Sequence, residues 1–319
     1  MIIVEGLKEV ENLTKPVILT IGNYDGLHRG HKKIIRKVTA RARELKGTSA
    51  LLTFEPHPRL LLHKDSAPPL LLTRSEKIDI LSHWGLDLFI EVAFDEEFAK
   101  VKANQFLEMI TSIYPIKEIY VGEDFKFGAE RKGDKETILN FAREKNFYAE
   151  AISKLKVRGE EVSSTLIRKY IVDGDMEKTH LLLGRPFEIR GIVRKGAKRG
   201  QVLGFPTANI EIGNKIVPKN GVYITLVDIG EEFLLKSISN VGLRPTFDDL
   251  KKPILEIHLI DRDIDLYSKE LRCLFIHKVR DEIKFSSSEE LKDEIAKDVR
   301  YAVDFLSNYH LLKRKLFWG

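Results

Sequence analysis

Gly22-Asn23-Tyr24-Asp25-Gly26-Leu27-His28-Arg29-Gly30-His31 separates a strand-like run from a helix-like one. Before it stands Val17-Ile18-Leu19-Thr20-Ile21, an unbroken apolar and β-branched run of the kind that suits a buried parallel strand. After it, Ile34, Ile35, Val38, Ala42 and Leu45 recur at helical spacing. The stretch is therefore a glycine-rich strand-to-helix turn. Such a turn aims backbone N–H groups and the positive end of a helix dipole at one point, where an anion such as a phosphate can sit. His28 and His31, three residues apart, can face the same side of the incoming helix, and Gly30 between them leaves room for a ligand to approach the backbone.

The ordered set of strand, Gly-x-x-Asp-Gly, His-x-Gly-His and helix resembles the phosphate-binding signature of the nucleotidyltransferases that carry a His-x-Gly-His motif. The resemblance implies that both histidines bind ATP phosphates and stabilise charge on the phosphorus under attack. Positioning and charge neutralisation are the protein's main contributions to such chemistry.

Outward from this stretch, 319 residues suffice for two domains, each with its own core. An apolar fraction of 43% beside 32% charged residues is ordinary for a soluble protein. The single cysteine, Cys273, excludes an internal disulfide and a cysteine-based zinc site, and suits a reducing cytoplasm. No basic-then-apolar signal segment opens the sequence, and no apolar run approaches the ~20 residues that span a bilayer, so a cytoplasmic protein without a membrane partner is expected. A net charge of +5 admits nucleic acid, yet it equally suits an enzyme that handles several phosphates.

Further runs read as strands at Ala50–Phe54, Leu88–Val92, Ile119–Gly122 and from Ala149. Between them lie a capping box at Thr73-Arg74-Ser75-Glu76 and a long helical pattern from Asp95 to about Ile113. Alternation at this spacing predicts a mainly parallel sheet wound by helices. Glu55-Pro56-His57-Pro58-Arg59 reads as a rigid non-helical loop at a strand's carboxyl end, either a ligand loop or simply a turn. Asp124 lies just past another strand end, on the rim that carries His28, where it is either a site residue or a solvated loop carboxylate. Ser163-Ser164-Thr165 caps a helix, and together with Arg168, expected on its first turn, makes a second anion site suited to the β- and γ-phosphates of a nucleotide.

Gly22 to His31, Thr53 to Pro58, Gly122 to Gly128 and Ser163 to Arg168 occur in the order and approximate spacing of the bacterial bifunctional riboflavin kinase/FAD synthetase family. The resemblance implies a first domain, 1–184, that adenylylates FMN with ATP. Phe54, Pro56 and Pro58 would lie by the flavin, and Gly22, Asp25, Gly30, Asp124, Ser164, Thr165 and Arg168 would serve the nucleotide. Tyr24, Leu27 and Val162 replace the family's usual Phe, Val and Ile, which roughly keeps size and polarity.

Helical spacing ends at Leu183-Gly184-Arg185-Pro186, and alternating strands begin. Phe187–Val193, Gly221–Val227, Lys236–Ser239, Leu255–Ile260 and Leu271–Ile276 predict a small antiparallel barrel, closed by a helix on which Leu291, Ile295, Val299, Ala302 and Leu306 form the apolar stripe. In Gly204-Phe205-Pro206-Thr207-Ala208-Asn209 a hydroxyl and an amide two apart share one face if the piece is extended, giving two neutral oxygens for a metal held mainly by phosphates. Lys195 to Gly200 is a basic glycine loop, either a solvated hairpin or a cover for a nucleotide. The run Gly-x-x-Leu-Gly-Phe-Pro-Thr-Ala-Asn resembles the flavokinase signature. Asn240 to Phe247, Asp265-Leu266-Tyr267 and Arg280 with Phe285 recur as in that family, with Ser268 where glycine is usual.

For the second domain, 185–319, the resemblance implies a riboflavin kinase with Mg²⁺ at Thr207 and Asn209, Gly204 at the nucleotide and Arg280 by the flavin. On an alternating strand Glu256 and His258 share one face and Leu255 and Ile257 the other, so Glu256 can look into a site. The family's catalytic glutamate falls in this strand, which implies Glu256 as the base. The expected partners are riboflavin, FMN and ATP, with no nucleic acid, and the chain is expected to be a monomer or weak homo-oligomer. Two other classes stand beside this one: a monofunctional nucleotidyltransferase with an accessory barrel, against which Pro-Thr-Ala-Asn argues, and a nucleic-acid binder, which lacks basic residues interleaved with aromatics along a strand pair.

Overall fold

The computed structural model describes every residue except 9, 12, 63–67, 195–202, 232, 246–250, 263 and 308–319, with backbone alone at 62, 244–245 and 251–252. The basic glycine loop at 195–200, the end of the 240–247 segment and the tail from 308 lie outside the described residues. The chain divides into two compact units, Met1–Val162 and Ser163–Gly319.

The first unit contains β1 (Ile2–Glu5), β2 (Val17–Ile21), β3 (Thr48–Glu55), β4 (Leu88–Ala93), β5 (Ile116–Gly122) and β6 (Tyr148–Ile152). They form one sheet in the order β1-β4-β3-β2-β5-β6, and every neighbouring pair is parallel. Helices α1 (Arg29–Glu44), α2 (Pro58–Leu62), α3 (Arg74–His83), α4 (Ala103–Ile113) and α5 (Lys135–Lys145) fall between the strands, and a hairpin of β7 (Lys156–Val157) and β8 (Glu160–Glu161) follows. Every residue of β2 is buried because both faces of the sheet are covered. Leu19 and Ile21 pack with Phe106, Leu107 and Ile110 of α4 on one side, while Ile18 packs with Ile34, Val38 and Ala42 of α1 on the other.

Two local expectations are corrected. The loop around Pro56 is not wholly non-helical: α2 starts at Pro58, a position where a missing N–H costs a helix nothing. The helical pattern from Asp95 is broken, with a short 3₁₀ turn at Phe98–Lys100 and α4 beginning only at Ala103. The Val101 carbonyl there accepts from Ala129 N–H at 2.8 Å, a bond across the fold in place of a helical one.

The second unit opens with α6 (Ser164–Asp173) and α7 (Met176–Leu183), which Gly184 ends in a left-handed C-cap at φ +78°. Then come β9 (Phe187–Arg194), β10 (Ala208–Glu211), β11 (Gly221–Asp228), β12 (Leu235–Pro245), β13 (Lys251–Leu259), β14 (Glu270–Arg280) and α8 (Ser288–Ser307). The strands close as a barrel in the order β10-β13-β12-β11-β14-β9. Five of them are expected from alternation. The sixth, β10, has four residues, too few for a pattern, yet it joins β13 to β9 and completes the closure. Ala302 and Leu306 of α8 pack on Ile224, Leu226, Ile238, Leu274 and Ile276 of the barrel wall.

Ser268 adopts φ +62°, so the turn keeps the conformation that favours glycine although a side chain stands there. A left-handed non-glycine residue costs ~1–2 kcal/mol and glycine's extra chain entropy ~0.5–1. Ser268→Gly is therefore expected to stabilise the second unit by about 0.5–1 kcal/mol, read as a rise of about 2 °C in its thermal midpoint. A lower midpoint would show that the turn is not strained.

The barrel also buries a charge network. Arg272 bridges Glu188 and Asp228, and Arg190 donates to the second oxygen of Glu188. Burial alone would raise the Glu188 carboxyl, but Arg272, then Lys215 and Arg190, overcome it and hold the group at about 2 instead of 4.5. A depressed carboxyl stabilises the fold fully above its unfolded value, and that contribution is lost as pH falls towards the folded value. Denaturant titrations of the full chain from pH 4.5 to 2 should therefore show a flatter loss of stability in Glu188→Gln than in the parent. Parallel curves would count against this coupling.

Candidate active sites

His28 and His31 stand at the start of α1, directly after the central strand β2. The side chain of His28 is the N-cap: its Nδ1 accepts from the His31 backbone N–H at 3.2 Å. Accepting there leaves Nε2–H as the donor of the neutral ring. The two imidazoles stack with centroids 3.6 Å apart and planes 15° from parallel, and Tyr24 leans on His31 at 4.9 Å. A Cβ on Gly30 would lie 3.1 Å from the His28 ring. Glycine at this position therefore eases the close approach of the His28 ring to the first turn of α1.

The turn itself is held tightly. Tyr24 and Leu27 have φ +48° and +41°, and both are buried. The Tyr24 hydroxyl bonds Thr20, whose Oγ1 donates to the Tyr120 carbonyl at 2.6 Å, and burial pushes the Tyr24 phenol well above its ordinary value. Gly22 N–H donates to the Leu52 carbonyl, Asp25 accepts from Leu71 N–H, and a Cβ on Gly26 would strike Leu71 at 2.7 Å. The Asn23 carbonyl accepts from Thr53 Oγ1 and from the buried ammonium of Lys77, a residue that no sequence motif singled out.

Sheet order places the rest. The strand after β2 in sequence, β3, lies on one side of it, whereas β5 lies on the other, so the order of winding reverses between β2 and β5. Open parallel sheets bind ligands outside the carboxyl ends at such a reversal. His28 follows β2 and Asp124 follows β5, one on each side of it. Asp124 is exposed and pairs with Lys154 at 3.5 Å. On the β3 side, Phe54 sits among Phe94, Phe98 and Phe106 at 5.8–6.0 Å, beside the cis Glu55–Pro56 bond and Pro58. Ser163 caps α6 by accepting from Leu166 N–H at 3.2 Å, and Ser164 and Thr165 are its first two residues. Arg168 is the fifth residue, one turn further than expected, and this group belongs to the second compact unit.

On the barrel, register decides what meets. Glu256 of β13 lies opposite Asn209 of β10 on one side and Asn240 of β12 on the other. Leu255 and Ile257 are fully buried while Glu256 and His258 are half-buried, as alternation requires. His258 Nδ1 pairs with the Pro206 carbonyl at 2.9 Å, and its ring meets Phe205 edge-on, fixing the segment that leads to Thr207. Thr207 is exposed, and Gly204 at φ +87° has open space around it. Arg280 is anchored by α8: its guanidinium grips both oxygens of buried Asp298 at 2.7–3.1 Å and lies over Phe285. Asn240 and Asp298 enter only through pairing and packing, because a lone amide in a strand and a lone acid in a helical stripe carry no signal in the sequence.

Models of two families match this chain in order: FAD synthetase over residues 10–166 and riboflavin kinase over residues 183–306. A bifunctional riboflavin kinase/FMN adenylyltransferase of Haemophilus influenzae is 34% identical over 97% of this chain and 100% of its own length. The chain belongs to the bifunctional riboflavin kinase/FMN adenylyltransferase family. Family members from Escherichia coli K12 and Pseudomonas fluorescens are 35% and 36% identical, covering 90% and 95% of this chain and 92% and 97% of their own. A solved structure described as a macrolide-efflux protein from Streptococcus pneumoniae aligns with a TM-score of 0.86 at 26% identity, over 95% of this chain and 99% of that one. That description and the family of the sequence relatives differ. The fold is common to both, and no described helix here is long and apolar enough to cross a membrane.

Proposed function

We propose that the barrel phosphorylates riboflavin to FMN with ATP, and that the parallel-sheet unit then adenylylates FMN to FAD with a second ATP, releasing pyrophosphate. The functional boundary is placed at 184/185, giving an adenylyltransferase domain 1–184 and a kinase domain 185–319, although the compact unit that holds the barrel begins at Ser163.

The observation that carries this reading is the occurrence in one chain of two polar arrangements of different build: stacked histidines at a helix N-terminus, and a carboxylate between two amides on a barrel wall. In the kinase step Glu256 accepts the proton of riboflavin's 5′-hydroxyl as that oxygen attacks the γ-phosphorus and ADP leaves. Asn209 and Asn240 stand opposite Glu256 in register, one on each neighbouring strand. Thr207 and Asn209 offer neutral oxygens to a hard cation. The Asn209 amide nitrogen makes a long contact of 3.5 Å with the Thr207 carbonyl, and the hydroxyl and amide oxygens of this pair are hard, neutral donors of the kind Mg²⁺ takes. When bound, Mg²⁺ neutralises charge on the nucleotide phosphates. Gly204 lets the backbone approach the nucleotide, and Arg280, fixed by Asp298, borders the flavin.

In the second step an FMN phosphate oxygen attacks the α-phosphorus of ATP. His28 and His31 donate to the oxygens on which charge grows, with Gly22, Asp25 and Gly30 shaping the turn and Asp124 on the ATP side. Ser164, Thr165 and Arg168 at the start of α6 form a second anion site, suited to the β- and γ-phosphates of a nucleotide. Phe54, Pro56 and Pro58 border the flavin. A cytoplasmic monomer or weak homo-oligomer working on small molecules is sufficient for both reactions.

Purified full-length protein incubated with riboflavin, ATP and Mg²⁺ should yield FMN first and FAD afterwards when the flavins are separated over time. Failure to form FMN from riboflavin, or FAD from supplied FMN, would refute the corresponding half.

A further inference from the structure

Lys77 is a buried cation that the steps above leave unused. It lies on α3, 9% exposed, and its Nζ donates to the Asn23 carbonyl at 3.2 Å. A lysine ordinarily extends its head to water, and an ammonium taken out of water is costly unless carboxylates face it. Here the surroundings supply them: Asp25 of the turn, Glu55 at the end of β3 and Glu91 of β4 all act on its charge, while burial draws its proton affinity down. Glu91 is also bound by Arg74, and Glu55 is itself raised by burial. The partner carbonyl belongs to the residue before Tyr24, the first of two non-glycine residues that the turn holds at positive φ. Such backbone persists only where its surroundings over-determine it. Thr53 Oγ1, at 3.3 Å, is the other donor to that carbonyl.

We propose that Lys77 is a positioning residue for adenylyl transfer: through the Asn23 carbonyl it holds the turn that sets His28 and His31 against the phosphates. The inference rests on the assignment of that site under Proposed function. A small displacement of a group that acts only in the transition state lowers kcat far more than it changes substrate binding.

The test uses full-length protein carrying Lys77→Met, and a second variant in which Lys77→Met is combined with Glu55→Gln so that one buried carboxylate leaves with the ammonium. In Lys77→Met, kcat for FAD formation should fall by about 10- to 100-fold. KM for ATP and for FMN should stay within about twofold, and riboflavin phosphorylation in the same sample should be unchanged. The double variant should regain thermal stability of the first unit without regaining kcat. Parental kcat in either folded variant overturns the inference, and so does a first unit that folds in neither, since Lys77 would then be purely structural. His31→Ala is measured alongside: if it retains FAD formation the site assignment itself fails, and if it alone loses activity only the role of Lys77 fails.

Discussion

Glu256→Gln is expected to lower FMN formation by ~10²–10⁴, the share of a general base, while riboflavin and ATP still bind. The amide keeps the size of the side chain and removes its basicity, so the register with Asn209 and Asn240 survives and only the proton acceptor is lost. The position is half-buried on the outward side of β13, opposite the fully buried Leu255 and Ile257, and the barrel core is therefore untouched by the change. The check is the initial rate of FMN production beside ligand binding, with FAD formation from supplied FMN as an internal control of the other unit. Turnover at the parent rate would remove Glu256 as the base. Loss of flavin binding with a folded barrel would mean that the carboxylate holds substrate and does not take a proton.

His31→Ala and His28→Asn are expected to lower FAD formation from FMN by ~10²–10³ each, the loss usual for a donor to developing oxyanion charge. Riboflavin phosphorylation should be nearly intact. The choice at position 28 follows from the structure: His28 is the N-cap of α1, and alanine there would add about 1 kcal/mol of lost capping to any catalytic effect. Asparagine is a good N-cap and carries no imidazole, so it separates the two roles. His31 has no cap to lose, and its ring packs between His28 and Tyr24. Parallel loss of both activities in these variants would count against two separate sites. An unchanged rate of FAD formation would place the charge donors elsewhere.

The legibility of this chain in its sequence follows the range of the forces involved. The uninterrupted apolar run of β2, the glycine turn, the capping box at Thr73 and the alternation of Leu255, Glu256, Ile257 and His258 are set by neighbours a few residues away, and they could be read without tertiary contacts. The parallel sheet and the antiparallel barrel follow from those local periods. The edge strand β1 and the four-residue β10 left no such trace, because each is defined by the strand it pairs with: β1 by β4, and β10 by β13 and β9. The break before α4 depends on Ala129, 28 positions after Val101, taking the carbonyl of that residue. The two fold classes and the residue types offered to each site are therefore local information. Which of these residues meet is set by long-range contacts: the placement of His28 and Asp124 on either side of the sheet's reversal, the stacking of two imidazoles beside a glycine, the row Asn209, Glu256, Asn240, the capture of Arg280 by Asp298, and a lysine buried beneath the turn. The physical reason is that strand register and sheet order are fixed by contacts between distant segments, and a one-residue slip in register would turn Glu256 into the core and leave every local signal unchanged.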